Sequence, residues 1–219
     1  MSLYLVATPI GNKDDLSLRG LEILQSAELI ILEERKEGSA FLRSHGISDK
    51  DYEQLNEHST TEDLQRLLGF CKSKKVALIT DCGTPGFADP GANLVRLCRD
   101  QKIEVHSLPG ASSLMTLLSL SGQRIDAFTF RGFLSAENEL RKKQWLELSK
   151  NKGAIILMDT PYRLQKTLTE IAEHFSTRKV LIGIDLTQET EQVIESLAHK
   201  LPGQIPIKKA EFILLIYPA

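Results

Sequence analysis

Cysteine is scarce in this 219-residue chain: Cys71, Cys82 and Cys98 are the three present, an odd number with no CxxC spacing. That argues against the disulfide framework on which small secreted domains depend and suggests a reducing, cytoplasmic setting. Long apolar runs are missing too. The N-terminal stretch MSLYLVATPIG falls far short of the roughly 20 residues that a membrane-spanning helix needs. It also lacks a signal-cleavage pattern, so it reads as the first strand of a soluble protein with no membrane partner. Neither sign of charge dominates: 27 Lys and Arg against 29 Asp and Glu leave a net charge of −2, with pI near 6.2. Such a balance supplies no global attraction to nucleic acid or anionic lipid, and a polyanion would have to be met by a local patch.

Several chemical signatures are also absent. The chain holds no GxGxxG, no GxxxxGKS or GxxxxGKT, no HExxH, no GxSxG and no EF-hand loop, which removes the usual support for dinucleotide, P-loop, zincin and hydrolase-elbow chemistry. His45, His106, His174 and His199 lack Cys or carboxylate partners at metal-ligand spacing, so no metal is expected. His58 alone lies in a polar cluster, Asn56-Glu57-His58-Ser59.

With 42% hydrophobic and only 6% aromatic residues, the chain can bury a core, and that core must be mostly aliphatic. Short apolar runs at residues 3–8, 29–32, 76–80 and 103–108 alternate with helical stretches at 15–27, 61–73 and 92–101. Strands at this spacing require crossover helices and pair in parallel. In the first helix Leu18, Leu21 and Leu24 recur every three residues with Ala27 below them, a stripe expected in the core. After Pro109-Gly110 the character shifts: residues 111–120 are Ser- and Leu-rich and read as a helix buried on most faces. Strands follow at 127–133, 154–158, 179–184, 191–196 and 211–217, helices at 137–150 and 164–174, and an irregular Pro-containing link at 201–209. The expected fold is α/β in two domains, 1–112 and 113–219, with a mainly parallel first sheet and a mixed second one.

Three loops lie at strand carboxyl ends: residues 8–12, 80–91 and 108–113. The middle one contains three Gly, two Pro and two Asp, so its backbone can approach a small molecule closely, at the edge where open α/β sheets bind ligands. The same loop also reads as a tight strand-to-helix turn in which Asp89 caps the next helix. Cys82, with no base nearby in sequence, reads as a packed small residue rather than a nucleophile.

The ordered segments LYLVATPIGNKDDLSLRGLEILQSAELI, LNEHST, ITDCGTPGFADPG, SLPGASS, FRGFL and TPYRL resemble the tetrapyrrole methylase superfamily over nearly the whole chain. That resemblance implies a homodimer binding S-adenosylmethionine in a cleft between two α/β domains. It implies Ile10 beside the cofactor, Pro9 and Gly11 shaping one wall, and the backbone of Asp81, Cys82, Gly83 and Thr84 along the amino-acid or ribose portion. Phe87 would meet an apolar part, Ser112 and Ser113 would complete the pocket, and Met158 would lie near the adenine.

Within the superfamily the chain is most similar to a group that methylates a ribose 2'-hydroxyl of 16S ribosomal RNA, the expected partner. It departs from that group in having Glu33-Glu34-Arg35-Lys36 where Glu-Asp-Thr-Arg is usual. Glu33, Glu34, Arg35, Lys36, Glu57, His58 and Arg163 are candidates for a base or for a cation that stabilises developing alkoxide. Arg35-Lys36, Arg141-Lys142-Lys143 with Trp145, and Lys208-Lys209 are candidate RNA contacts, although each charged run alone reads as a solvated face and His58 as a turn residue. Methylation of a tetrapyrrole-like or other metabolite, and a non-catalytic cofactor-binding module, stand as alternatives.

Overall fold

The computed structural model describes residues 1–87, 89 and 91–219. Ala88 and Pro90, which the sequence reading assigns to the 80–91 loop, lie outside the described residues. The chain divides into two compact units, Met1–Ser112 and Ser113–Ala219.

The first unit runs β1 (Ser2–Val6), α1 (Leu18–Ser26), β2 (Leu29–Leu32), α2 (Arg35–Ser44), β3 (Asp51–Gln54), α3 (Thr61–Ser73), β4 (Lys75–Leu78), α4 (Gly91–Asp100) and β5 (Glu104–Leu108). Its strands form one parallel sheet in the order β3-β2-β4-β1-β5. Strand β2 shows why the sequence gives this fold: all four residues of Leu-Ile-Ile-Leu are buried, as a strand covered by helices on both faces requires. Leu29 and Ile31 join Leu67, Leu68 and Cys71 of α3 and Leu94 and Cys98 of α4. Ile30 and Leu32 join Leu24 of α1 and Leu42 of α2 on the opposite face. Side chains that alternate across the sheet thereby recruit a different helix pair to each side. Caps fix two of the helix starts. The Ser17 hydroxyl accepts from the Gly20 amide at 3.0 Å, and Thr60 and Asp63 form a reciprocal capping box.

The second unit runs α5 (Ser113–Leu120), β6 (Phe128–Gly132), α6 (Asn138–Leu148), β7 (Ala154–Met158), a 3-10 turn at Pro161–Arg163, α7 (Leu164–His174), β8 (Lys179–Ile184), β9 (Gln192–Leu197), α8 (Leu201–Gln204) and β10 (Phe212–Ile216). Its sheet, β6-β7-β10-β8-β9, is mixed: β6 and β7 pair in parallel, with a register shift between Phe130 and Gly132, and the remaining pairs are antiparallel. Trp145, Ile155, Leu157, Leu168, Ile182 and Leu214 share one core on the α6 and α7 side. Helix α5 packs on β10 and β8 from within the same unit.

Several expectations are corrected. Leu18 is 81% exposed, because the buried stripe of α1 runs through Gly20 and Leu24; at Gly20 an added Cβ would lie 3.1 Å from Val6 Cγ1. Helix α5 buries Leu114 and Leu117 but leaves Met115 and Leu120 exposed. Arg141 and Trp145 are buried rather than part of a surface patch. Residues 35–44 and 51–54 form α2 and β3, which composition did not mark, and the irregular link contains the short α8. Among the described residues no helix is long and apolar enough to cross a membrane.

Candidate functional site

Strands β4, β1 and β5 are neighbours, so the loops at their carboxyl ends emerge side by side. The Thr8 amide donates to the Gly83 carbonyl at 2.9 Å and the Gly83 amide donates to the Thr8 carbonyl at 3.1 Å, forming a two-bond antiparallel bridge between the first and second loops. Thr8 is buried, and its hydroxyl is satisfied by the Thr80 carbonyl at 3.0 Å. The third loop comes as close. A Cβ on Gly110 would stand 2.8 Å from the Ala7 Cβ, and the Thr84 hydroxyl donates to the Ala111 carbonyl at 3.4 Å.

The middle loop folds by local chemistry. Gly83 and Gly86 have φ of +83° and +84°, the left-handed region that other residues enter at a cost. Pro85 followed by Gly86 is the pairing a type II turn demands at its two central positions. The Asp89 carboxylate accepts from the amides of Gly86 at 2.8 Å, Phe87 at 3.2 Å and Gly91 at 2.9 Å. It thereby ties the loop to the start of α4. The role anticipated for Asp89 at the start of the next helix is present, and the same carboxylate also holds the loop.

The sequence-derived cofactor residues fall as follows. Pro9 and Gly83 are buried, Ile10 and Thr84 are half-buried, and Gly11, Asp81, Cys82 and Phe87 are exposed. The exposure of Cys82 corrects its reading as a packed residue: strand β4 ends at Leu78 and the chain has turned outward by residue 81. Ser112 is half-buried at the end of the first unit, and Ser113 is half-buried as the first residue of α5. Met158 belongs to the second unit. It is the last residue of β7, half-buried and paired with Ile213.

Next to the middle loop, the β2–α2 turn brings a pair of acids into register with it. The Asp81 amide donates to Glu33 Oε2 at 3.2 Å, and the Glu34 amide donates to Asp81 Oδ1 at 3.3 Å. Gln54 of β3 supports the turn through its amide on the Glu33 carbonyl at 2.9 Å. Partial withdrawal from water raises the Glu33 pKa above 4.5; the Asp81 amide opposes this, and the charges of Asp81, Asp89 and Glu34 add to it. Desolvation likewise raises Asp81 above 3.8, with the Glu34 amide opposing and Glu34 and Glu37 adding to the rise.

A cavity of about 530 Å³ opens there, lined by Glu33, Glu34, Asn56, His58, Asp89 and Asn93 among others. Beside it is a hollow of about 290 Å³ to which Arg35, His58, Ser59 and Arg66 contribute. The structure therefore brings Glu33, Glu34 and His58 to one cavity and places Arg35 with His58 in the next. The His58 side chain is exposed, and its Nε2 stands 3.7 Å from Glu57. Thr60, not His58, caps α3. Lys36 is 93% exposed beside Glu37.

Sequence reasoning gave no site role to Thr8 or Asn56, although it placed Thr8 in the first loop and Asn56 in the polar cluster with His58; it read Asp89 as a cap but not as a clamp on the loop, and it passed over Asn93. Among the described residues no group of three His, Cys, Asp or Glu side chains converges as metal ligands would.

Comparison with known proteins follows this geometry closely. Residues 2–202 match the tetrapyrrole (corrin/porphyrin) methylases. The chain is 35% identical over 216 residues to "Ribosomal RNA small subunit methyltransferase I" of Leptospira biflexa, covering 98% of this chain and 90% of that protein. It is 38% identical over 193 residues to the Synechocystis protein of the same name, covering 87% and 68%. Among solved structures, a diphthine synthase superposes with TM-score 0.78 at 16% identity over 100% of this chain and 90% of its own. A cobalt precorrin-4 methyltransferase superposes with TM-score 0.69 at 16% identity, covering 99% and 94%. The fold, the loop-bearing sheet edge and these matches together make this chain a methyltransferase belonging to the tetrapyrrole (corrin/porphyrin) methylase family.

Proposed function

We propose that the protein transfers a methyl group from S-adenosylmethionine to a ribose 2'-hydroxyl of ribosomal RNA in the small subunit, acting in the cytoplasm as a homodimer. The observation that carries the cofactor assignment is the gathering of three Gly- and Pro-rich loops at one sheet edge, the first two by the Thr8–Gly83 bridge and the third by the Gly110–Ala7 approach and the Thr84–Ala111 hydrogen bond. The residues fit the cofactor. Ile10 and Phe87 offer apolar surface, Asp81 and Cys82 are exposed at the turn of the middle loop, and the nearby carboxylates favour a sulfonium cation. Ser112, Ser113 and Met158 are kept as proposed cofactor residues on the family resemblance. The acceptor assignment rests on the two ribosomal RNA methyltransferases that share more than a third of their aligned residues with this chain.

When bound, the cofactor supplies an electrophilic methyl group on sulfonium. What the protein must add is alignment of the hydroxyl for in-line attack and a destination for one proton. Glu33 is the proposed base. Its raised pKa makes it a better proton acceptor than an ordinary glutamate, and it lines the cavity next to the loop cradle. With the methyl group supplied by the bound cofactor, the Glu33 carboxylate would take the proton that the attacking hydroxyl gives up. Asn56, His58 and Asn93 can hydrogen-bond the ribose, and Arg35 with Arg66 in the adjoining hollow can face phosphate.

The cavity lining itself is acidic, with Glu33, Glu34, Glu57 and Asp89. This favours, as the second reading, a small hydrogen-bond-donating or cationic metabolite as acceptor. Incubation with methyl-labelled cofactor separates the two. Label on the RNA of small ribosomal subunits, at a nuclease-resistant 2'-O-methylated nucleotide, is the expected result. Label confined to a low-molecular-weight fraction of cell extract would overturn the RNA assignment.

A further inference from the structure

Of the three basic clusters considered for RNA contact, one is partly buried in the structure, one keeps its exposed lysine beside a glutamate, and the third gains an aromatic partner. Arg141 and Trp145 are buried, and Lys36 lies against Glu37. Lys209, in contrast, places its Nζ 4.1 Å from the ring centroid of Tyr162 and donates to the Tyr162 hydroxyl at 2.9 Å. Tyr162 is 76% exposed, so its ring contributes little to the core, yet its mount is rigid. It sits on the 3-10 turn Pro161–Arg163, just past the carboxyl end of β7.

Buried Asp159 anchors that turn. Its Oδ1 accepts from the Thr160 amide at 2.8 Å and from Arg163 Nη1 at 3.3 Å, and its Oδ2 accepts from Arg141 Nη1 at 2.7 Å and from the Thr167 hydroxyl at 3.2 Å. The segment bearing Lys209 is fixed as well, because Gln165 of α7 donates to the carbonyls of Ile205 at 2.7 Å and Ile207 at 2.6 Å. Lys208 is exposed beside it, and Lys166 lies on the same helix as Gln165, held to Asn138 at 2.9 Å. The acids facing this patch are Glu211 and Asp185; Glu211 is drawn toward ionisation by Lys209 and away from it by burial and by Asp185.

An exposed aromatic ring on a fixed turn, with the Lys209 cation against it and Lys208 and Arg163 next to the two residues in sequence, is a combination that single-stranded nucleic acid uses: a base stacks on the exposed ring surface and phosphates meet the cations. We infer that Tyr162, with Lys209, Lys208 and Arg163, forms a stacking platform for an unpaired base of the RNA substrate, remote in sequence from the acid pair and the cofactor loops. This inference rests on the RNA reading given above. A cationic metabolite acceptor would gain nothing from such a surface.

The test uses the full chain, small ribosomal subunits and a single-stranded oligoribonucleotide. Tyr162→Ala is expected to raise KM for subunits, and to weaken oligoribonucleotide binding, by roughly 5- to 100-fold, with kcat changing far less. Tyr162→Phe and Tyr162→Trp should restore both. Lys209→Gln should flatten the salt dependence of binding by about one charge. Cofactor affinity by calorimetry and thermal unfolding should stay at the wild-type values for each variant.

A Tyr162→Ala enzyme with wild-type KM and oligoribonucleotide affinity would overturn the platform. So would a variant that loses cofactor affinity or self-association while keeping RNA affinity. If the wild-type protein itself neither methylates nor binds small-subunit RNA, the underlying acceptor assignment has failed, a result distinct from an active wild type whose Tyr162 variants are silent.

Discussion

Two groups of carboxylates in this protein sit in opposite surroundings. In the second unit, Asp159 and Glu170 close around a guanidinium. Arg141 is buried and holds Asp159 at 2.7 Å and Glu170 at 2.6 Å. Burial alone would lower the Arg141 pKa, but its hydrogen bonds to Glu170 and Asp159 raise it above its ordinary value. In the first unit, the Glu33 carboxylate accepts from the Asp81 amide and the Asp81 carboxylate from the Glu34 amide, with Glu34, Glu37 and Asp89 as further acids nearby, and burial raises both pKa values. The difference separates two uses of charge. A carboxylate matched to a cation holds structure together, whereas acids crowded without one become available to take a proton.

The largest expected effect comes from breaking the matched set. Arg141→Met removes the buried cation shared by Asp159 and Glu170, leaving Asp159 only Arg163 at 3.3 Å, and should cost about 3–5 kcal/mol in denaturant unfolding. A loss below 1 kcal/mol would show that water or Arg163 substitutes for it. In the crowded set the effect should fall on chemistry instead. Glu33→Gln is expected to slow methyl transfer roughly 100-fold or more, judged by single-turnover assay at saturating cofactor. Activity of the wild type should rise with pH as Glu33 loses its proton, along a limb displaced above the ordinary 4.5.

The third effect tests the cradle. Gly83→Ala forces a Cβ into φ of +83° and should cost about 1–2 kcal/mol. It should weaken S-adenosylmethionine binding about tenfold by calorimetry. The smallest effect concerns the sign of stability against pH. A carboxyl whose folded pKa is raised favours folding below its unfolded pKa, and that advantage is lost as pH rises through the folded one. Glu33→Gln should therefore be equal to or slightly more stable than wild type at pH 7, within about 0.5 kcal/mol. The difference should vanish below about pH 4.

The comparison also shows why one region was legible in the sequence and the other was not. The loops after β1, β4 and β5 are built from local chemistry, Pro85-Gly86, Gly83 and Gly110, and such residues announce a turn wherever they stand. Strand β2 and helix α3 were equally plain, one through its apolar run and the other through its helical pattern at 61–73. Arg141, however, precedes Lys142 and Lys143, and nothing local distinguishes the buried residue from its exposed neighbours. Its burial depends on Asp159 and Glu170, which lie 18 and 29 positions away. Strand β3 was hidden for a related reason. Its Asp-Tyr-Glu-Gln has no apolar alternation, and it is a strand because β2 offers it a parallel edge. The Glu33–Asp81 pairing, 48 positions apart, was likewise out of reach. Glu33 could be named as a candidate, but not that it shares a cavity with His58 and Asp89.

The central claim, that three loops at one sheet edge hold S-adenosylmethionine through their backbone, is tested most directly by amide NMR of the labelled protein during titration with that cofactor. The expected result is that the largest shifts in the first unit cluster at residues 8–11, 81–87 and 110–112 and saturate together. Shifts concentrated elsewhere, with Gly83 and Thr84 unmoved at saturation, would contradict it.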